Sequence, residues 1–324
     1  MRFDSSNIPA EFSFEKEKEV ARKFAQRFQW EMMLIGIGQA LVWLSTWFLV
    51  INNYISLFVG FILASICACL AYLPSHEAQH GNYSRGNKKK RWLDTLIGHV
   101  SLMTLMYPYP IMQATHMKHH ANTNNPEKDF DYGIVSCKNP WEVFLYTLQG
   151  PDKAYKEYYD VHKGDKNFVN KFSRGLLVSW VQKSVQLLLV VIFPLETLFL
   201  WFLPRKIGTF YTALNFSWYP HQGLEVGRYK DSKFYMFKYI PRYLTHSMQL
   251  HFVHHLHPNI GHHDEPKAIV ALKPFLIARG VPGAEDIPDR ITYNPLTKIE
   301  LIANNSISNT KIEFDGMPGL PSSP

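Results

Sequence analysis

The sequence predicts an all-α integral membrane protein whose membrane spans pair into two hairpins, and three observations predict it. Residues 30–50, WEMMLIGIGQALVWLSTWFLV, and 54–73, YISLFVGFILASICACLAYL, are long apolar runs with only a short gap between them. A helix needs about 20 residues to cross the ~30 Å hydrocarbon layer, so each run is long enough for one crossing. A second, less even apolar stretch fills 176–219. Finally, cations crowd the outer ends of the first pair. Lys16, Lys18, Arg22, Lys23 and Arg27 precede it and Arg85, Lys88, Lys89, Lys90 and Arg91 follow it, while residues 51–53 carry none. Basic flanks mark the cytoplasmic side, so both ends of the first hairpin are expected there.

The four spans are expected at about 30–50, 54–73, 176–193 and 200–219, within a membrane domain of residues 30–285. The second pair is punctuated by Pro194 and Pro204. Lys183 sits inside its first half, and Arg205 and Lys206 interrupt the other. The predicted topology puts those last two cations toward the far side of the bilayer, and hydropathy alone gives no reason for them. The shorter run 95–112, TLIGHVSLMTLMYPYPIM, holds His99 and two prolines and fits a membrane-hugging or buried segment.

Residues 1–29 form a separate N-terminal segment. Val20, Phe24 and Phe28 recur there every fourth residue amid Lys and Arg. Two readings stay open: an interfacial amphipathic helix, or a helix packed on the cytosolic body. Residues 286–324 are a tail, polar and rich in Gly and Pro from about 303, and are expected to be partly disordered.

Composition narrows the function classes. Of 324 residues, 46% are hydrophobic, enough for one large domain. The net charge of +7 clusters beside the apolar runs instead of forming a stripe, so a lipid bilayer is the expected partner and nucleic acid is not. Three cysteines, none at metal-ligand spacing, exclude a disulfide framework and a thiolate metal site. The first residues lack the charged-then-apolar pattern of a secretory signal.

Histidine carries the chemistry. The stretch HFVHHLHPNIGHH (251–263) holds six of the chain's fifteen histidines. Three clusters have ligand spacing: HEAQH with His76 and His80, HMKHH with His116, His119 and His120, and HFVHH with His251, His254 and His255. Positions i, i+3 and i+4 share one helical stripe, so each cluster can aim its rings at one point. By the predicted topology all three lie on the cytoplasmic side, next to the bilayer. His221, in NFSWYPHQ, leaves the last span at the same boundary and is a ninth candidate, with a helix-end polar cap as its alternative. Asn215, on the same stretch, is placed to hold a bound water.

Neutral imidazole suits iron, copper, zinc or nickel. Eight or nine nitrogens exceed what one ion uses, so two ions are expected. Ligating histidines donate their second N–H to a carboxylate or carbonyl. Glu77, Asp129, Asp131, Asp264 and Glu265 lie near the clusters, with Asp129 and Asp131 preferred and solvated loop charges as the alternative. His257 falls off the stripe and reads as packing; His262 and His263 read as an exposed loop pair. A membrane metal transporter fits less well, because transporters put ligands at mid-membrane and these histidines follow the spans.

The order HxxxH, HxxHH, HxxHH with paired spans resembles the membrane fatty-acid-desaturase superfamily of histidine-box di-iron enzymes, over roughly residues 30–285. Within it, LIGHVSLMTLMYPYPIMQATHMKHHANTNNPEKDFD, WYPHQ and HFVHHLHPNI look most like bacterial-type beta-carotene hydroxylases and ketolases. Fatty-acyl desaturases share the boxes but usually have a longer first box or a Gly before its second histidine. The resemblance implies four membrane helices under a cytosolic helical cap. It also implies that His76, His80, His116, His119, His120, His221, His251, His254 and His255 bind two irons. Phe130 in PEKDFD stands where a proline is common, which puts the local turn in doubt.

That resemblance implies an oxidoreductase that uses O2 and external electrons to oxidise C–H bonds of a long apolar lipid. Hydroxylation of a carotenoid-like substrate is the first expectation and fatty-acyl desaturation the second; one site supports either, depending on where the substrate carbon sits. Trp43, Trp47, Tyr107, Tyr109, Trp218 and Tyr219 are expected mostly in an interfacial belt, with a substrate path as the alternative. A separate ferredoxin-like or other donor is expected, since the sequence has no His-Pro-Gly-Gly haem stretch and no cluster cysteines. The basic 85–91 loop suits anionic lipid or that donor. The metal site is expected on the cytoplasmic face, of the inner membrane in a bacterium.

Overall fold

The computed structural model describes residues 8–25, 27–149, 152–234, 250–293 and 300–302. In chain order the helices are α1 (Phe14–Phe24), α2 (Trp30–Ile51), α3 (Leu57–Leu70), α4 (Tyr72–Gln79), α5 (Arg91–Ser101), α6 (Tyr109–Asn122) and α7 (Tyr132–Val135). They continue as α8 (Pro140–Leu148), α9 (Asp152–His162), α10 (Lys166–Ile192), α11 (Pro194–Thr197), α12 (Leu203–Thr212), α13 (Tyr219–His221), α14 (His251–Leu256) and α15 (Glu265–Ala278). Two strands, β1 (Ile291–Tyr293) and β2 (Glu300–Ile302), follow. The chain divides into two compact units, Phe28–Val226 and Met1–Arg27 with Gly227–Pro324.

In the unit Phe28–Val226, three helices among the described residues are long and apolar enough to cross a membrane: Trp30–Ile51, Leu57–Gln79 and Lys166–Ile192. The second begins at Ser56, whose Oγ accepts the Val59 N–H at 3.3 Å, and runs through α3 and α4. It therefore ends past 73, and the first histidine box rides on its last turn. The third starts at Lys166, well before the expected 176. Asp165 caps it, its Oδ1 accepting the N–H groups of Asn167 and Phe168, and satisfies donors that a helix start leaves open. Phe168 and Phe172 then bury with Ile111 and Tyr158. Beyond Gly175 the helix shows Leu177, Trp180, Leu187, Leu188 and Val191 to the outside, a face that calls for lipid.

The fourth expected span is helical from Pro194 to His221, but its backbone alternates. Wider π turns at Leu198–Phe202 and Ala213–Trp218 separate α11, α12 and α13. Its two cations have protein partners. Lys206 Nζ donates to the carbonyls of Thr147 and Leu148 at 3.3 and 3.1 Å, and Arg205 Nη1 lies 4.0 Å from Met106 Sδ. The last carbonyls of a helix have no intrahelical donor and carry its negative dipole end, so Lys206 completes α8. Gly208 lets α12 close on α3: a Cβ there would stand 2.8 Å from Ala68 O and 2.7 Å from Leu105 Cδ2.

The run 95–112 is two helices with a break, α5 and α6, where Met106 adopts φ 53° and Pro108 precedes α6. The aromatic belt does not hold as expected. Trp43, Trp47, Tyr109 and Trp218 are buried in protein. The indole N–H of Trp43 donates to Leu200 O and that of Trp218 to Cys137 O, each at 2.8 Å. Tyr107 OH donates to Thr209 Oγ1. The tryptophans on the outer surface are Trp30, Trp92, Trp141 and Trp180. Hydropathy does not separate an aromatic that seeks the lipid interface from one whose N–H finds a carbonyl in the core.

In the other unit, α1 buries Ala21 and lays Val20 and Phe24 on a core that includes Phe252, Leu256, Ile269, Leu272 and Leu276. Of the two readings left open for this segment, the packed helix is the one realised. The stripe does not extend to Phe28, because α1 ends at Phe24 and Phe28 lies against Tyr83 in the first unit. The fold is not wholly helical: β1 and β2 pair antiparallel, Ile291 opposite Ile302, inside the expected tail. Residues 303–324 and His246 lie outside the described residues.

Gly208→Val should destabilise by about 1–3 kcal/mol, the usual range for overpacking, read as a shifted midpoint in detergent unfolding. Gly38→Val, where a Cβ meets nothing within 4 Å, should leave the midpoint little changed. Equal midpoints for the two variants would contradict the close α12–α3 contact.

Candidate metal centre

Two boxes and His221 belong to the unit Phe28–Val226. α4 ends the second apolar helix and turns His76 inward, with His80 as its C-cap residue. α6 supplies His116, His119 and His120 after a proline-marked start at Pro108 and Pro110. The ligand nitrogens of His76, His80, His116 and His120 lie within 4.8 Å of one another. Nε2 of His116 is 2.8 Å from Nε2 of His80 and 3.1 Å from that of His120. His119 turns to a second group with His221, ring centroids 5.0 Å apart. The two groups adjoin through α6, where the His116 and His119 rings are 6.0 Å apart.

Burial pushes His80, His116 and His120 well below the ordinary imidazole range, and the neighbouring imidazoles push them further down. These rings are neutral at neutral pH and present lone pairs, the state in which imidazole binds a metal. Nε2 atoms about 3 Å apart, facing one another without a carboxylate between them, fit ligation of a shared cation. The donor set is all nitrogen, which suits iron, copper, zinc or nickel.

Asp129 fixes the tautomer of the His119 ring. His119 Nδ1 is 2.8 Å from Asp129 Oδ1, which leaves Nε2 for the His221 side. Asp129 also accepts the N–H groups of Asn124 and Asp131. Burial pushes its carboxyl up, but the His119 ring and these donors together hold it below the usual carboxylate range. Asp131 goes the other way: burial pushes it up, against the His119 ring and the Ser217 hydroxyl, which donates to its Oδ2 at 2.8 Å. Ser217 and Asn215 both sit on the second π turn, just before His221. Asn215 spends its amide N–H on Tyr211 O at 2.9 Å. Glu77 accepts the Asn82 amide at 2.7 Å.

The turn after the second box forms with Phe130 in the place where a proline is common. Asn125 Oδ1 accepts the N–H groups of Glu127 and Lys128, and Phe130 stacks on Tyr155 and meets Tyr158 edge-on. Sequence reasoning overlooked Tyr72 and Phe216. Their rings stand 4.7 Å apart, and each lies against His76, at 6.0 and 5.5 Å. Tyr72 is one helical turn before His76, the only signal that might have found it. Nothing in the sequence separates Phe216 from the other aromatics of its apolar run.

The third box is in the unit containing Gly227–Pro324. α14 buries His251 and His254, with His255 partly covered. Nε2 of His251 and His255 are 3.0 Å apart, and His251 stacks on His254. His257 is off this stripe, as expected, and its Nε2 meets Glu17 Oε1 at 3.0 Å. His262 and His263 are half-buried, a correction to the exposed pair; His262 Nδ1 stands 3.5 Å from Glu265. Glu265 is the first residue of α15. His99 is half-buried beside Tyr109.

Asp129→Asn should weaken metal retention by about 10–100-fold, the usual cost of losing the partner of a ligating histidine. Metal per chain after dialysis against a chelator measures it, and unchanged retention would remove Asp129 from the site.

Comparison with known proteins follows the same lines. The family model described as fatty acid desaturase matches residues 52–283, a span that includes all nine box and exit histidines. The chain is 24% identical over 300 residues to the sn-2 acyl-lipid omega-3 desaturase (ferredoxin), chloroplastic, of Arabidopsis thaliana, covering 82% of this chain and 65% of that protein. It is 24% identical over 260 residues to an omega-3 fatty acid desaturase, chloroplastic, of Brassica napus, covering 70% and 63%. A shorter match, 27% over 104 residues, is to the sn-1 oleoyl-lipid 12-desaturase of Anabaena variabilis, covering 32% of this chain and 28% of that one. The chain thus spans less than two thirds of the length of these relatives. With the family match over most of its membrane unit and through the third box, the chain belongs to the fatty acid desaturase family.

Proposed function

We propose that this protein is an acyl-lipid desaturase that removes two hydrogens from adjacent methylenes of a fatty-acyl chain. The observation that carries this reading is the match over 82% of the chain to a protein named as an acyl-lipid desaturase. It displaces the first expectation from the sequence, hydroxylation of a carotenoid-like substrate, in favour of the second. The histidine boxes alone do not distinguish the two, because both reactions begin with removal of hydrogen from an unactivated carbon.

In this reading His76, His80, His116 and His120, with His119 and His221, ligate two irons together with His251, His254 and His255. Their all-nitrogen donor set fits that pair. When bound, the irons supply O2 reduction: one O2, two electrons and two protons take two hydrogens from –CH2–CH2–, leaving –CH=CH– and two waters. The protein's own share is positional. Asp129 holds the His119 ring at one tautomer. Tyr72 and Phe216 form an apolar wall beside His76 that keeps water from the reacting carbons and sets their distance, the variable that decides alkene against alcohol. Asp131 and Ser217 tie the loop after the second box to the π turn before His221.

The substrate arrives by partition into the bilayer, to which α10 shows its long apolar face. A separate ferredoxin-like protein supplies the electrons, in line with the name of the Arabidopsis relative, an omega-3 desaturase (ferredoxin). The metal site faces the cytoplasm, by the distribution of Lys and Arg around the first hairpin.

The test is expression in cells that make beta-carotene, with pigments and fatty-acid methyl esters analysed together. The expected result is a new acyl double bond with unchanged pigments, lost with His116→Ala, and two irons per purified chain. Hydroxylated pigment with unaltered acyl chains would overturn the desaturase reading; labile zinc or copper without O2 consumption would overturn an oxidase altogether.

A further inference from the structure

Glu17 lies far in sequence from every histidine box, and its side chain is fully buried. A buried carboxylate is costly unless it is paired and hydrogen-bonded. This one has three partners, all within its own unit. Arg279 Nε is 2.7 Å from Oε2, Tyr229 OH donates to Oε2 at 3.1 Å, and His257 Nε2 meets Oε1 at 3.0 Å. Arg279 also donates from Nη1 to Phe12 O at 2.8 Å, and its guanidinium lies over the Tyr229 ring.

The three partners come from separate places in the chain. Arg279 is the C-cap residue of α15, and His257 is the C-cap residue of α14. α14 is only six residues long, too short to hold its own direction. Its far end is gripped from outside: His257 by Glu17, and Leu256 O by Arg228 Nη2 at 2.7 Å. His257 N–H in turn donates to Val253 O at 2.8 Å, inside the helix that carries His251, His254 and His255. Turning α14 about its axis would swing all three rings and break the His257–Glu17 contact.

We propose that Glu17 is a positioning residue for the third histidine box: through His257 it fixes the rotation of α14 and so the direction of the box imidazoles. This rests on the reading that the box ligates iron. It gives the N-terminal helix a part in the metal centre, although α1 contributes no ligand. The unit, with Phe252, Val253 and Leu256 of α14, is also held by an apolar core around Ile269, Leu272 and Leu276, and a packing variant in that core separates general packing from the polar link.

The experiment uses the full-length protein and reads iron per chain after chelator challenge, beside the thermal midpoint. The variants are Glu17→Gln, His257→Phe, His257→Gln and Ile269→Val, the last a loss of packing in the same core. Glu17→Gln and His257→Phe should each retain at least tenfold less iron than wild type, while Ile269→Val lowers the midpoint and keeps its iron. His257→Gln should recover much of the loss, since its Nε2 can donate to Glu17 where phenylalanine cannot. Should Glu17→Gln fail to fold, the two His257 variants decide. Wild-type iron in His257→Phe, or equal iron in the Phe and Gln variants, overturns the proposal. A wild-type chain that binds no iron overturns it together with the functional reading on which it stands.

Discussion

Imidazole nitrogens crowded in a buried place are the constraint on which the structure turns. In the larger unit six rings stand in two adjoining groups, four of them with ligand nitrogens within 4.8 Å of one another. Buried polar atoms need partners, and like-charged rings at such distances would repel. Burial lowers the proton affinity of His80, His116 and His120 and so relieves that repulsion. Imidazoles gathered this closely offer nitrogen ligands that can hold a cation. Much else in the unit serves that cluster: a helix that ends on His76, a proline-started helix that presents three more rings, and an irregular last helix that delivers His221.

That last helix combines an apolar sequence with polar tasks. Its cations would be misplaced in lipid, but Lys206 closes the open carbonyls at the end of α8. The glycine at 208 brings α12 against α3. The π turn at Ala213–Trp218 then places Asn215, Ser217 and the following His221 in a register that a uniform α-helix would not give. Ser217 reaches Asp131 from there, and Asp129, two residues earlier, reaches His119. The second π turn thus puts irregular backbone next to His221, where ring direction matters most.

Substrate class sits at a different level from metal binding. The boxes gather histidines as a metal centre does, and both hydroxylases and desaturases can be built on such a centre. Local motif likeness around the second and third boxes pointed to carotenoid enzymes, whereas similarity over most of the chain points to acyl-lipid desaturases. The longer comparison weighs more because the shape of an acyl path is distributed over many helices. The boxes are common property of the family and carry little of that shape.

By itself the sequence determined the features written in local spacing. Apolar runs of crossing length, i, i+3, i+4 histidines and the neighbouring Asp129 are legible because period and length follow directly from helix geometry. Tertiary structure decided whatever depended on a distant partner. α10 begins early because Asp165 caps it and Phe168 and Phe172 find Ile111. Trp43 and Trp218 turn inward because carbonyls at Leu200 and Cys137 take their N–H groups. α1 packs on a core because α15 offers one, and Glu17 and His257 meet across 240 residues. A carboxylate or an indole has no preferred place until something fills its hydrogen bonds, and such partners are brought together by folding rather than by adjacency in the chain.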